Sequence, residues 1–365
     1  MKFYKRFQTK KINIGNVTIG GGLPIRIQSM TNTNSRDLKS TVKQIKQLEE
    51  VGCELIRVSF PDMESALNVR KIKKHIKIPL IADVHFDYKI ALEVIKQGVD
   101  KLRINPSNIG SQDKLVALVK EAKNAHIPIR IGINAGSLKK IHHSSNNFMR
   151  AKTLVCVAIE HIKVLEKYNF QDIVVSLKAS NIDTTIQAYR LFASKRTYPL
   201  HLGITEAGSI FSGTIKSSIG VGIMLYDGIG DTIRVSLTAD PIEEINVAYC
   251  ILQYMGLRNL GVEVISCPTC SRCEVDLINI VLKLEKKISV IKNLRKLHKP
   301  IKVALMGCVV NGPGEAKDAD FGIAASGKNI GVLFKNGNII CKISSDKWVN
   351  KIISMIEERM IHIQR

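Results

Sequence analysis

The sequence predicts a (β/α)8 TIM barrel followed by a smaller α/β domain. Apolar runs of strand length alternate eight times with helix-period stretches over roughly the first 250 residues, the arithmetic of a closed parallel barrel. Polar and cationic residues gather at the carboxyl ends of those runs, where such barrels place their chemistry. Beyond about Leu260 the alternation gives way to short strands around two cysteine-bearing turns. The expected domains are therefore residues 1–258 and 259–365, the second long enough for a core of its own.

The N-terminal segment is read as a short lead-in. The expected strands are 25–29, 55–59, 80–84, 101–104, 129–133, 173–177, 200–204 and 232–237. Amphipathic stretches lie between them at 38–50, 63–75, 89–97, 114–125, 152–168 and 184–193, and a helix at 242–255 follows the last strand. A doubly wound open sheet is the alternative, weakened because no Gly-x-Gly-x-x-Gly turn follows the first strand. The stretch 142–148 is read as a variable connection. In the second domain a long helix at 275–297 separates the two cysteine turns. Strands at 303–306, 321–324, 329–334 and 338–342 and a final helix at 347–361 complete it.

The net charge of +22 invites a nucleic-acid reading. It is spread too evenly for one: residues 259–365 carry 17 Lys/Arg against 10 Asp/Glu, and residues 1–258 carry 37 against 22. A solvated basic surface that favours anionic substrates or an acidic redox partner is the better account. A hydrophobic content of 45% fits a soluble globular chain, and no apolar run reaches the length of a membrane span. The basic N-terminus is followed by no apolar segment, so a cytoplasmic protein with reduced thiols is expected.

The strand ends carry a constellation. Gln28, Ser29 and Met30 close the first strand, Arg57 the second, Asp83 and His85 the third, and Arg103 and Asn105 the fourth. Arg130 and Asn134 belong to the fifth, Ser176 and Lys178 to the sixth, Thr205 and Glu206 to the seventh, and Arg234 and Ser236 to the eighth. One arginine on a strand is usually an edge residue. Four at separate strand ends, with a lysine at a fifth, suit a diphosphate, because guanidinium forks match phosphate oxygens two at a time. Asp83 lies two residues before His85 on one strand face and is placed to orient it. His85 by itself reads more readily as a structural histidine, Asp83 beside it makes the two readings even, and Glu206 also reads as a salt-bridge partner.

Cysteines organise the second domain. Cys267-Pro-Thr-Cys270-Ser-Arg-Cys273 is followed about thirty-five residues later by Gly307-Cys308-Val-Val-Asn-Gly-Pro-Gly-Glu315. A zinc ribbon needs a second Cys-x-x-Cys knuckle, and Cys308 stands alone. A redox Cys-x-x-Cys pair needs no distant third cysteine. An iron–sulfur cluster fits best, since one turn can supply two ligands and a distant turn the rest. Cys53, Cys156, Cys250 and Cys341 lie on apolar patterns and read as core.

These two cysteine turns resemble the cluster signatures of the 4-hydroxy-3-methylbut-2-enyl diphosphate synthase family. The blocks Ala82-Asp-Val-His-Phe86, Leu102-Arg-Ile-Asn-Pro-Ser-Asn-Ile-Gly110, Ile131-Gly-Ile-Asn-Ala-Gly-Ser137, Ser176-Leu-Lys-Ala-Ser180 and Leu202-Gly-Ile-Thr-Glu-Ala-Gly208 extend the resemblance over nearly the whole chain. It implies a [4Fe–4S] cluster on Cys267, Cys270, Cys308 and Glu315. An all-cysteine set that uses Cys273 is the alternative. It also implies that Arg57, Arg103, Arg130, Asn134, Lys178 and Ser236 hold the diphosphate of 2-C-methyl-D-erythritol 2,4-cyclodiphosphate, with Asp83, His85 and Glu206 at the chemistry. A flavodoxin or ferredoxin donor and a head-to-tail homodimer are implied as well. Two rivals from other classes are a zinc protein that binds RNA and a barrel aldolase or phosphosugar enzyme with a structural cluster.

Overall fold

Eight parallel strands curl around a polar interior in the structure, a computed structural model that describes residues 5–85, 87–105, 111–138, 146–258, 261–291, 294, 297, 299–308 and 318–364. They are β3 (Arg26–Met30), β4 (Leu55–Ser59), β5 (Leu80–Asp83), β6 (Lys101–Ile104), β7 (Ile129–Asn134), β8 (Ile173–Lys178), β9 (His201–Leu202) and β10 (Thr232–Ile233). Their order is β8-β7-β6-β5-β4-β3-β10-β9, and a parallel bridge from Val175 to Leu200 closes the ring.

Helices follow the strands because each linking stretch repeats apolar residues at helical spacing. The first, α1 (Leu38–Glu50), buries Thr41, Ile45 and Leu48, and the Asp37 side chain accepts from the Ser40 N–H at its start. Then come α2 (Met63–Ala66), α3 (Val69–His75), α4 (Tyr88–Lys96), α5 (Gln112–Asn124), α6 (Asn147–Lys167), α7 (Ile182–Ala193), α8 (Ile210–Tyr226) and α9 (Pro241–Tyr254). The expected single helix at 63–75 is two, because the Asn68 amide turns aside to donate to the carbonyls of Ser35 and Arg36, both at 3.1 Å.

One element absent from the expectation closes the amino-terminal end of the barrel. The hairpin β1 (Ile12–Ile14) and β2 (Val17–Ile19) packs Ile12, Ile14 and Ile19 against Leu55, Ile81 and Val174. At the other end the ladder stops early. The runs expected at 200–204 and 232–237 form only two ladder residues each. A Cβ on Gly203 would lie 2.5 Å from the Arg234 carbonyl oxygen and 2.6 Å from Lys178 Nζ, so the backbone there makes room for side chains instead.

The chain divides into two compact units, Met1–Arg258 and Asn259–Arg365. In the second, β11 (Val262–Ser266), β12 (Ile301–Met306) and β13 (Phe321–Gly327) run parallel, and β14 (Ile330–Lys335) and β15 (Asn338–Ser344) continue the sheet antiparallel. Helices α10 (Leu277–Ser289) and α11 (Trp348–Gln364) supply Leu277, Ile280, Leu284, Trp348, Ile352 and Ile356 to its core. Strand β11 was not expected. Helix α10 is shorter than 275–297 and stops at an exposed Val290.

Candidate active site

Period-2 alternation turns Arg57, Asp83, Arg103, Arg130, Ser176, Lys178 and Arg234 into the barrel at its carboxyl end. Arg103, Arg130, Lys178, Ser176 and Asp83 are buried, and Arg57 keeps only 11% of its side chain exposed. Burial pulls the Arg57 guanidinium down to about 9, with Asp83 opposing and Arg234 and Arg103 adding to the fall. Arg130 and Lys178 are lowered well below their ordinary values, first by burial and then by neighbouring cations. So many cations in one cavity, facing the carboxylates of Asp83 and Glu244, form a site short of negative charge.

Asp83 is the hub. Arg103 Nη1 donates to its Oδ1 at 2.8 Å, and Arg57 Nε lies 3.6 Å from its Oδ2. Burial alone would raise its carboxyl, but Arg57 and Arg103 outweigh that and hold it well below the usual carboxylate range. His85 Nε2 lies 2.7 Å from the same Arg103 Nη1 and 3.4 Å from Asp83 Oδ1. A guanidinium only donates, so in that shorter contact Nε2 faces Arg103 as the acceptor. Asp83 thus neighbours His85 directly, as expected, and also through Arg103, which contacts both.

Two glycines create the space. Besides Gly203, a Cβ on Gly132 would lie 2.8 Å from Arg103 Nε and 3.3 Å from Ser176 Oγ. Glu206 stands exposed in the turn after β9 with a left-handed φ of 53°, a conformation rare for residues with a side chain. Asn134 ends β7 half-buried, and Ser236 is half-buried beyond β10.

Arg234 also belongs to the site, although the expected diphosphate ligands omitted it. It lies two residues before Ser236, and that parity was a usable signal. Its Nε and Nη2 each lie 3.4 Å from a carboxylate oxygen of Glu244, which also accepts the Leu237 N–H at 3.0 Å. Met30 was read only as a strand end, yet its sulfur lies 3.0 and 2.8 Å from Arg57 Nε and Nη2 and 3.6 Å from Arg234 Nη1. A thioether is a weak acceptor, so these arginines keep donor capacity for a better one. Gln28 Oε1 accepts from Arg130 Nη1 at 3.3 Å.

In the second unit, parallel pairing of Ser266 with Leu305 brings Cys267 and Gly307-Cys308 to one sheet end. The Gly307 N–H donates to Cys267 Sγ at 3.3 Å, and the Cys273 thiol donates to the Val275 carbonyl at 3.2 Å. A Cβ on Gly307 would sit 2.5 Å from Cys273 Sγ and 3.5 Å from Cys267 Sγ. Cys308 is buried, Cys267 and Cys273 are half-buried, and Cys270 is exposed; all are free thiols. Glu315 lies outside the described residues, as do 142–145 of the expected connection, whereas Asn147 and Phe148 start α6. Among the described residues, no three His, Cys, Asp or Glu side chains converge on a single-ion site. A four-iron cluster offers a separate iron to each ligand, so its ligands surround a volume and need not share a point. Free thiols gathered at one sheet end, with an N–H aimed at one sulfur, fit that demand.

The chain matches the family profile described as the GcpE TIM-barrel domain over residues 9–249 and the GcpE protein C-terminal domain over residues 263–358. It is 54% identical over 355 residues to the 4-hydroxy-3-methylbut-2-en-1-yl diphosphate synthase (flavodoxin) of Thermodesulfovibrio yellowstonii, covering 97% of this chain and 99% of the relative. It is 52% identical over 354 residues to the same-named protein of Ruminiclostridium cellulolyticum, covering 97% and 98%. Among solved structures, the dihydropteroate synthase of Coxiella burnetii is similar in fold alone, with a TM-score of 0.51 at 12% identity, covering 68% of this chain and 99% of that one. With both profiles matched and about half of all residues shared over its length, the chain belongs to the GcpE family of 4-hydroxy-3-methylbut-2-en-1-yl diphosphate synthases.

Proposed function

We propose that this chain reductively converts 2-C-methyl-D-erythritol 2,4-cyclodiphosphate to 4-hydroxy-3-methylbut-2-enyl diphosphate. The reaction opens the cyclic diphosphate and removes a hydroxyl with two electrons. The observation that carries this reading is the cation-lined barrel mouth, where arginines from four strands keep unspent donors. In this reading Arg57, Arg103, Arg130, Asn134, Lys178 and Ser236 hold the diphosphate, and we add Arg234. Ring opening leaves negative charge on a phosphate oxygen, and fixed guanidinium donors stabilise it without reorganising. His85, and Glu206 on its turn at the mouth, are the groups assigned to hold and deliver the proton that leaves with the hydroxyl as water. Asp83 positions His85 and fixes Arg103.

We assign a [4Fe–4S] cluster to Cys267, Cys270, Cys308 and Glu315. When bound, it supplies the electrons one at a time, which side chains cannot do. The Gly307 N–H would stabilise the Cys267 sulfur as thiolate. The relatives' names specify flavodoxin, and we extend a flavodoxin or ferredoxin donor to this chain, whose net charge of +22 suits an acidic partner. Reduced thiols are consistent with a cytoplasmic site, and among the described residues no helix is long and apolar enough to cross a membrane.

A head-to-tail homodimer is part of the proposal. Arg258, where the barrel unit ends, donates to the Ile25 carbonyl at 2.8 Å and pairs with Glu54 at 3.2 Å, at the amino ends of β3 and β4. The chain thus leaves the barrel unit at the face opposite its mouth. Phe211, Ile215, Ile219 and Ile223 form an exposed stripe at four-residue spacing along α8, suited to a second copy. The test of the function is an anaerobic assay of iron- and sulfide-loaded protein with the cyclodiphosphate and reduced flavodoxin. Diphosphate product is expected, and its absence in fully loaded protein would reject the reading.

A further inference from the structure

Lys101 lies inside the barrel. It opens β6, its side chain is fully buried, and its Nζ has no hydrogen-bond partner among the described residues. Arg103 follows two residues nearer the mouth on the same face. Below, the β1–β2 hairpin closes the barrel with isoleucines, and the register partner of Lys101 is the apolar Ile81. Burial first, then Arg130 and Arg57, pulls its pKa well below the ordinary lysine value. His201 is also buried and is lowered by burial and then by Arg130, Lys178 and Lys101. Its Nδ1 lies 2.8 Å from Thr232 Oγ1, and its Nε2 has no partner among the described residues. The remaining charged or titratable groups of the interior, Asp83, His85, Lys178, Arg234 and Glu244, stand towards the mouth.

An ammonium with no acceptor, buried against two guanidinium groups, would bear a desolvation cost and a repulsion together. It sheds its proton instead. A diphosphate among Arg57, Arg103 and Arg130 changes those terms, because its charge neutralises the cations that Lys101 faces. The geometry points to Lys101 as an amine kept neutral beneath the diphosphate layer, which takes up one proton when the anion binds above it. This rests on the reading of the mouth as a cyclic-diphosphate site. The balance is one proton from solvent to Nζ, with no bond made to the ligand. Each phosphorus of the cyclodiphosphate carries a single strongly acidic hydroxyl, so protons counted near neutral pH are taken up by the protein. Lys101 acts on the reaction as a positioning residue, through the charge of the layer above it.

Calorimetric titration of the anaerobic holoprotein with the cyclodiphosphate, in buffers of low and high ionisation enthalpy, counts the protons. Uptake approaching one proton per site is expected for the wild type, with affinity falling up to about tenfold per pH unit across the alkaline range. In Lys101→Met, uptake should fall by at least half and the pH dependence should flatten. No uptake in the wild type, or equal uptake in both proteins, overturns the proposal; the second result would move the proton to His201 or Lys178. A ligand-free arm reads the charge state separately. The unfolded lysine is protonated below a pKa of about 10.4 while the folded one is not, so stability rises with pH through this group. Lys101→Met should therefore melt about 2 °C or more above the wild type at pH 7, with the gain shrinking towards pH 10. Lys101→Gln, polar but unable to ionise, covers the case in which methionine packs badly. If neither variant flattens the slope, Lys101 is already charged and the proposal fails. Failure of the cyclodiphosphate to bind would instead reject the substrate reading, and the melting arm would still decide the charge of Lys101.

Discussion

Arg57 directs two of its N–H groups at the sulfur of Met30, at 3.0 and 2.8 Å. A thioether is a poor acceptor, so the pairing fixes the guanidinium, and apart from Asp83 at 3.6 Å from Nε its donors stay open to a better acceptor. Arg57→Ala should weaken binding of the cyclodiphosphate roughly ten- to hundredfold, the cost of a charge-assisted phosphate contact of about 1.5–3 kcal/mol. Arg57→Lys should recover little, because an ammonium cannot reproduce the fork. Met30→Leu should stay within severalfold of the wild type. Calorimetric affinities decide, and unchanged binding in Arg57→Ala would remove this residue from the diphosphate site.

Gly132→Ala and Gly203→Ala test the shape of the pocket. The new methyl would lie 2.8 Å from Arg103 Nε in one case and 2.6 Å from Lys178 Nζ in the other. Each cation must move, so affinity should fall about tenfold with the circular dichroism spectrum unchanged. Wild-type affinity in both variants would show that these side chains need no such room.

Asp83→Asn tests the hub through pH. The carboxyl of Asp83 is held well below its unfolded value near 3.9, so the unfolded chain binds the extra proton in acid. Its contribution to stability is full above that unfolded value and is lost as pH falls towards the folded one. Melting curves should therefore show Asp83→Asn less stable than the wild type at pH 6–7, with the gap closing below about pH 4. A gap independent of pH would mean that the loss is one of packing alone.

Cluster ligation is read from iron. Cys267→Ser, Cys270→Ser and Cys308→Ser should each lose most of the bound iron after anaerobic reconstitution, and Glu315→Ala should retain iron but lose activity. Cys273→Ser should keep its iron, because that thiol already donates to the Val275 carbonyl. Full iron loss in Cys273→Ser, with normal activity in Glu315→Ala, would select the all-cysteine set.

Assembly is tested by mixing. Cys308→Ser and Arg130→Ala, each inactive alone, should regain part of the activity after subunit exchange, since one of the two composite sites in a mixed dimer has both an intact cysteine set and an intact arginine. No recovery, with exchange confirmed by mass, would mean that each chain completes its own site.

Much of the barrel was legible because its signals are local. β4 (Leu55–Ser59), β6 (Lys101–Ile104) and α1 (Leu38–Glu50) fall where periodicity put them. β9 and β10 are shorter than their apolar runs, and the close approach there of the Gly203 backbone to Arg234 and Lys178 joins distant segments. The β1–β2 hairpin had a usable mark in Gly15-Asn16 between two short apolar alternations, a recognised hairpin turn, but its strands have only three residues each. Arg57, Arg103, Arg130 and Lys178 were legible from parity at strand ends. The role of Met30 beside Arg57, 27 positions away, and that of Glu244, which reaches Arg234 from a helix, depend on how the ring closes.

The isoleucine plug under the barrel gives the well a bottom. In the proposed site a ligand would enter and leave by the mouth, so substrate and product could not pass each other. A product that keeps the diphosphate would leave against the arginines assigned to hold the substrate. On that reading, accumulated product would compete with substrate for an empty well, and a tighter grip on phosphate would slow product release as well as strengthen substrate binding.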